Sequence, residues 1–288
     1  MGLSSLHLDA FFAAAQTLNF SQAAKDLFIT QSALSQRIKA LEEELDLTLF
    51  VRMPRGVQLT EAGQTLLQYS QARFSLEQEL MLRLRGKAEE GLGGVLRIGG
   101  YSSVIRSVIT PALAPLLREN PNVQPHLQNA EMRHLPEMLN TGQVDFVVMD
   151  SEIHRGDIET VQLGVEEYVM VESVEFPVDR HLYIDHDPDD TVTDRFLRSQ
   201  NAKVPEYRRA FMDEIYALID GVAAGLGRGI VSRHLVANDS RLRIVPGHKA
   251  MEVPVMLHFH KQPYFTELHK STMERLTKAC PKLLKAGK

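Results

Sequence analysis

Residues 20–45 read Phe20-Ser21-Gln22-Ala23-Ala24-Lys25-Asp26-Leu27-Phe28-Ile29-Thr30-Gln31-Ser32-Ala33-Leu34-Ser35-Gln36-Arg37-Ile38-Lys39-Ala40-Leu41-Glu42-Glu43-Glu44-Leu45. Ser21 is placed to cap a short helix over Ser21–Leu27, and Phe28-Ile29 turn the chain. Thr30 then offers its hydroxyl as N-cap of a second helix running to about Leu45. In that helix Leu34, Ile38, Leu41 and Leu45 recur at steps of four, three and four, which makes one narrow apolar stripe. At about 100° per residue, Ser32, Gln36 and Lys39 fall on the opposite side, with Ser35 at its edge. Short amides and hydroxyls on such a face donate to and accept from base edges in a major groove. Arg37 projects nearer the buried flank and suits a phosphate better than a base. Charge is segregated as well: Arg37 and Lys39 lie in the first half and Glu42–Glu44 in the second, so the N-terminal half is the end that enters a groove. An ordinary helical bundle with a solvated polar face fits the same pattern, and this helix alone does not separate the two.

Outward on the C-terminal side, Leu49-Phe50-Val51-Arg52 and Val57-Gln58-Leu59 are spaced to pair as a hairpin across Met53–Gly56. Arg52 and Arg55 then stand on a wing beside the helix. Composition bounds the rest. With 288 residues, 44% hydrophobic and 24% charged, the chain has the make-up of an ordinary globular protein with room for two domains. Disordered, collagen-like and coiled-coil-only classes are excluded. No apolar run reaches the roughly 18 residues of a membrane span; the longest near the start is Ala10–Ala15. Asp9 precedes that run and no basic segment does, so a secretory signal is not expected. Leu6 stands where myristoylation after Met1-Gly2 needs Ser or Thr. Cys280 is single and cannot form a disulfide within the chain. The expected address is cytoplasmic. A net charge of −5 argues against DNA binding by bulk charge, so any such reading rests on where the charges sit.

The stretch from Leu8 to Gly63 resembles the winged helix-turn-helix of LysR-type transcriptional regulators. The residues that carry the resemblance are Phe20–Leu27, Ile29–Ile38, Leu41–Leu45, Leu49–Arg52 and Leu59-Thr60-Glu61-Ala62-Gly63. The resemblance implies Gln31, Ser32, Ser35 and Gln36 on base edges, with Ser21 and Thr30 beside them. Arg37, Lys39, Arg52 and Arg55 then take phosphates or the minor groove. Three departures stand out: Ser32 where the family often has proline, Gln36-Arg37 in reversed order, and Asp46 in place of a helix-ending glycine. The first two bear on which sequence is read. Asp46 is compatible with the left-handed cap that glycine supplies.

Residues 61–90 read as one long helix. Ala62, Leu66, Tyr69, Leu76 and Leu80 alternate steps of four and three, with Arg73 and Arg83 in the same register. Leu67, Phe74 and Met81 add a stripe at sevens. A seam this long predicts pairing with a second copy; packing on the chain's own head accounts for Leu66 and Leu67 but less easily for Leu80 and Leu84. The resemblance implies the same, since linker helices in this family pair antiparallel and two dimers form a tetramer. Pairing two weakly attracting heads also adds avidity for DNA. Arg85-Gly86 and Gly91-Leu92-Gly93-Gly94 have the composition of a hinge.

Beyond it, strands and helices alternate: Val95–Gly99, Val104–Leu117, Val123–Leu127, Leu135–Thr141 and Val144–Met149. This order implies βαβ units and a parallel sheet. Glu167–Val171, Arg180–Asp185, Gly229–Ser232 and Glu252–His260 read as further strands, and Asp213–Ala224 and Phe265–Leu276 as helices. The fold class is α/β: a winged helix-turn-helix over 1–60, a linker helix over 61–90, and a two-lobed body over 91–288. Lobe 1 spans about 95–165 with the C-terminal return, and lobe 2 about 166–250. Resemblance to the regulators' effector domain implies a periplasmic-binding-protein-like fold with a ligand in the cleft. It places effector contacts at Tyr101, Ser102 and Ser103, at Asn129 and Glu131, at Met149 and Asp150, and at Asp220. Ala130 replaces a family glycine, and a carboxylate at Glu131 disfavours a plain dicarboxylate and fits a ligand bearing an amine. Both amine- and carboxylate-bearing effectors stay open.

Enzyme readings fare poorly. The glycines of Asp220–Gly227 end a helix and start a strand, the reverse of a dinucleotide loop. His258-Phe259-His260 puts two imidazoles on one strand face without a third or fourth metal ligand, and a surface strand is the simpler reading. His181, Asp185, His186 and Asp187 read as a polar loop. No nucleophile motif is present, and a two-thiol redox sensor needs a second cysteine. The chain reads as a regulator binding promoter DNA and a small effector, with no cofactor, metal or membrane. An architectural DNA binder with an idle cleft, or a metabolite enzyme with an accessory helical head, are the alternatives.

Overall fold

The computed structural model describes residues 2–54, 56–84, 91–200, 204–262 and 264–285, with the backbone alone at 82 and 83. The expectations for Arg55 and Arg85-Gly86, and the side chain of Arg83, lie outside these residues. The head holds α1 (Ser5–Thr17), α2 (Phe20–Asp26), α3 (Gln31–Leu45), β1 (Phe50–Met53) and β2 (Gly56–Leu59), followed by the linker helix α4 (Glu61–Leu84). Leu34, Ile38 and Leu41 turn the expected stripe of α3 into a shared core with Leu8, Phe11, Ala14, Ala23 and Leu49. Phe50 sits at its centre, its ring 5.4 Å from Phe11 and 5.2 Å from Phe20. Replacing such a ring by alanine costs roughly 3–5 kcal/mol. The hairpin forms as expected, with Phe50 opposite Leu59 and Arg52 opposite Val57.

Thr30 Oγ1 accepts the N–H of Ala33 at 3.1 Å, as its position predicts. Ser21, however, does not cap α2. Asn19 does, its Oδ1 accepting from Ser21 N at 3.0 Å and Gln22 N at 3.1 Å, so the helix starts one residue earlier. Asn19 has the extended backbone that an N-cap needs, while Ser21 is already helical. Asp46 ends α3 at φ 54°, the left-handed cap in which the family has glycine.

The body is one mixed sheet. In chain order come β3 (Gly93–Gly100), α5 (Ser102–Val104), a π-helical turn (Ile105–Ile109), α6 (Thr110–Glu119), β4 (Asn122–Asn129), α7 (Leu135–Asn140), β5 (Phe146–Met149) and β6 (Ile158–Ser173). Then come β7 (Leu182–Asp185), α8 (Val192–Ser199), β8 (Arg208–Phe211), α9 (Ile215–Ala223), β9 (Arg228–Ser232), α10 (Arg233–Val236), β10 (Leu242–Ile244), β11 (Met251–His260) and α11 (Glu267–Leu284). Among the described residues nine strands join in the order β4-β3-β5-β11-β6-β9-β7-β8, with β10 beside β6. Two lobes result. In lobe 1, β3 pairs in parallel with β4 and β5 under α6 and α11; in lobe 2, β7 pairs in parallel with β8 and β9 under α9. The antiparallel strands β6 and β11 stand between them.

The structure departs from the sequence pattern at several elements. Gly93 and Gly94 are strand residues of β3 and not hinge. β6 begins at Ile158, nine residues before the expected Glu167, because its first half alternates irregularly and pairs with β11. The helix expected at Val104 starts at Ser102 and passes through the π-helical turn, where Thr110 Oγ1 donates to Ile105 O at 2.8 Å. α11 continues to Leu284 past Pro281, since Leu276, Cys280 and Leu284 keep a four-residue beat into the lobe 1 core. The strand holding His258 and His260 is interior, flanked by β5 and β6, and His258 is fully buried. α8, β8, α10 and β10 fall in stretches left unassigned above. No helix among the described residues is long and apolar enough to cross a membrane.

Candidate functional site

The tip of α3 is built by its neighbours. Gln31, Ser32, Gln36 and Lys39 are exposed, and Ser35 and Arg37 half-buried, as the helical spacing requires. Ser21 Oγ donates to Gln31 Oε1 at 3.0 Å, which ties the first turns of α2 and α3 together and leaves the Gln31 amide N–H groups as donors. Thr30 and Ser32 share a hydroxyl contact at 2.9 Å. Thr30 is thereby committed to the helix start more than to an outside partner. Lys39 lies 3.4 Å from Glu43 on the same exposed face. Pairs of this kind contribute well under about 1 kcal/mol, so a phosphate can displace Glu43 readily. Arg52 is exposed on β1 beside the helix. Glu42 does more than make the second half acidic: its Oε1 accepts from Leu49 N at 2.7 Å and fastens the wing to the recognition helix.

Between the lobes lies a ring of polar side chains. Tyr101, at the end of β3, donates its hydroxyl to Glu166 Oε1 at 3.0 Å. Glu166 is fully buried on β6, and its Oε2 accepts from Ser232 Oγ at 2.7 Å and lies 3.0 Å from His234 Nε2. His234 Nδ1 is 2.9 Å from Ser107 Oγ, which also donates to the carbonyl of Ser103 at 2.5 Å. Tyr101 and Tyr168 hold their protons well above the usual phenol range, first because they are buried and then because the Glu166 carboxylate faces them. Ser107, Glu166, Ser232 and His234 were not singled out in the sequence. The one local sign was a carboxylate pair, Glu166-Glu167, directly before the run Tyr168–Val171.

Toward the mouth of the cleft, Asn129 ends β4 opposite Gly100, and Glu131 Oε1 meets His186 Nε2 of lobe 2 at 3.3 Å. Asp150 lies 3.9 Å from Arg195 of α8, and the Arg106 guanidinium stacks 3.8 Å over the Tyr216 ring. Two expected contacts go elsewhere. Asp220 is turned outward on α9 and pairs with Arg241 at 2.8 Å, because the opposite face of α9 carries the apolar residues Leu218, Ile219 and Val222. Met149 buries its side chain with Leu135, Leu139 and Ile158 in the core under α7. The ligand atoms of Glu131, His186 and Asp187 lie within 4.8 Å of one another. Asp187 Oδ1 already accepts from Asp189 N and Asp190 N at 2.7 and 2.9 Å, and His186 is engaged by Glu131 and Asp213. The group works as a cross-lobe ion pair. His258 is likewise spoken for, by Ser151 O and Thr160 Oγ1. A cavity of about 540 Å³ lies outside the cleft, between α4, the start of β3 and the first turn of α11. The cleft is the better site because polar groups from both lobes converge there.

A helix-turn-helix with a polar, exposed tip and a two-lobed body with a polar cleft define a ligand-responsive DNA-binding regulator. Comparison with known families agrees. Residues 6–64 match the bacterial regulatory helix-turn-helix protein, lysR family, and residues 89–281 match the LysR substrate binding domain. The chain belongs to the LysR-type transcriptional regulators; it is a regulator and not an enzyme. Over 143 residues it is 40% identical to the HTH-type transcriptional regulator BudR of Klebsiella aerogenes, covering 48% of this chain and 97% of that protein. It is 28% identical over 265 residues to the uncharacterized HTH-type transcriptional regulator YusT of Bacillus subtilis, 85% of each chain. In fold it is similar to ArgP of Mycobacterium tuberculosis, with a TM-score of 0.77 at 21% identity over 97% of this chain and 98% of that one.

Proposed function

We propose that the tip of α3 reads promoter DNA directly, with Gln31, Ser32, Ser35 and Gln36 on base edges and Arg37, Lys39, Arg52 and Arg55 on phosphates or in the minor groove. The observation that carries this is the 3.0 Å bond from Ser21 to Gln31, which holds the tip amide in place and directs its free N–H groups outward. Residues 1–60 then act as the reader, 61–90 as the pairing helix and 91–288 as the sensor, in a cytoplasmic homodimer or tetramer. Exposed Tyr69, Leu76, Leu80, Met81 and Leu84 on α4 support the pairing. The effector sits among Tyr101, Ser102, Ser103, Asn129, Glu131 and Asp150, and the carboxylates there favour a small molecule bearing an amine. It acts by binding one arrangement of the lobes better than the other.

The test is a gel-shift titration on the promoter duplex beside the chain's own gene and on a scrambled duplex. Gln36→Ala is expected to weaken the promoter complex by roughly 1–3 kcal/mol and to leave the scrambled complex nearly unchanged. Equal losses on both, or no retardation by the parent chain at low ionic strength, would contradict the assignment. Thermal shifts across a metabolite panel identify the effector.

A further inference from the structure

The segment from Asp150 to Asp157 has one end in the cleft and the other beneath α4, and we infer that it is the link by which the state of the cleft sets the pose of the head. At the cleft end Asp150 faces Arg195 of lobe 2 at 3.9 Å. At the next residue, the carbonyl of Ser151 accepts from His258 Nε2 at 3.0 Å, so the cleft end of the segment is clamped to β11. At the far end Arg155 grips Asp157 through two bonds, at 3.0 and 2.8 Å, and also reaches Asn140 of α7. Asp157 Oδ2 accepts from Gln68 Nε2 of α4 at 3.2 Å, and the same Gln68 amide lies 3.0 Å from His260 Nδ1. Arg155 Nη2 also reaches Gln64 Oε1, at 3.5 Å.

The α4 side of this contact has its own pattern. Gln64, Gln68 and Gln71 recur at steps of four and three, so they share one helix face. Gln71 fills the space over Gly142, where a Cβ would stand 1.8 Å from its amide nitrogen. Glutamines are a fitting choice for a contact that shifts. Amides bonded to charged partners hold firmly, yet water replaces either partner without leaving a buried charge unpaired. An apolar seat would resist such a change more steeply. Cleft and linker are thus joined by eight consecutive residues, with no need to route the signal through the chain connection at 85–92.

This inference rests on the cleft being the sensing site, but its test needs no effector. Glu131→Cys and His186→Cys, joined by a short bis-maleimide, lock the lobes. Cys280 does not compete, because burial pushes its thiol up to about 12. Hydrogen exchange of residues 64–74 is then measured in the full chain, cross-linked and not, with and without Asp157→Asn. Locking is expected to change exchange there by at least about fivefold, the lower end of ordinary coupling between sites, and Asp157→Asn is expected to abolish the change. Gln68→Ala repeats the test should Asp157→Asn fail to fold. No change on locking, or the same change with the Asp157 contact removed, overturns the link. Gel shifts on the same samples report DNA binding separately, so a failed reader is not mistaken for a failed link.

Discussion

A Cβ on Gly63, in the first turn of α4, would stand 2.3 Å from the carbonyl oxygen of Leu49 and 2.9 Å from a methyl of Leu59. The nearer atom is backbone and has nowhere to go, so Gly63→Ala is expected to destabilise the head by about 2 kcal/mol or more, read as a lower urea midpoint at unchanged slope. Phe28 is the opposite case. It adopts φ 55°, a left-handed conformation that favours glycine, and is 96% exposed. Phe28→Gly is expected to raise head stability by about 1 kcal/mol in the same titration. Loss of stability instead would mean that the ring makes a contact in the assembled protein. Residue-scale reading succeeded where one side chain meets its own turn of helix, as at Thr30. It failed at Asn19 and Ser21, both good caps by type, because only the backbone angles decide between them.

Elements were legible in proportion to how locally their pattern repeats. The stripe of α3 and the wing hairpin close within a few residues and were read directly. The ring around Glu166 joins residues 65 to 127 positions apart, and no local period marks such a set. The glutamine face of α4 runs beside the apolar seam, and polar residues at that spacing are equally those of a solvated helix face. That seam carries its own prediction. Leu80, 53% exposed, faces no core in the single chain, so Leu80→Glu is expected to leave the thermal unfolding of the head intact while shifting the protein toward monomer. Sedimentation velocity at micromolar concentration measures this; an unchanged oligomer would move the interface elsewhere. Weaker promoter binding should accompany the monomer, through lost avidity.

At the scale of the molecule, β11 brings two titrating groups into the interior. Burial pushes the imidazoles of His258 and His260 below the usual histidine range, against the opposing pull of the carbonyls of Ser151 and Leu139. A histidine whose folded value is lowered binds its proton more readily in the unfolded chain. Its contribution is therefore complete above about 6.5, the unfolded value, and is lost as pH falls through the folded value. The melting temperature of the parent is expected to drop as pH falls below about 6.5, and His260→Gln is expected to flatten part of that slope. An unchanged slope would show that His260 is not the group responsible.

The sixteen residues of β6 pair with β11 up to Tyr168, with a register shift at Leu163, and with β9 from Tyr168 onward, so the lobes are joined through β6 and its partner β11. The two halves of the body are accordingly not plates on a loose joint. Parting them means twisting a hydrogen-bonded strand about the few residues around Tyr168, a stiff motion with a preferred axis. A stiff axle converts small rotations at the centre into larger sweeps at the rim, and leaves little freedom for sideways drift. Motion of that kind is repeatable in direction, whichever way it is driven.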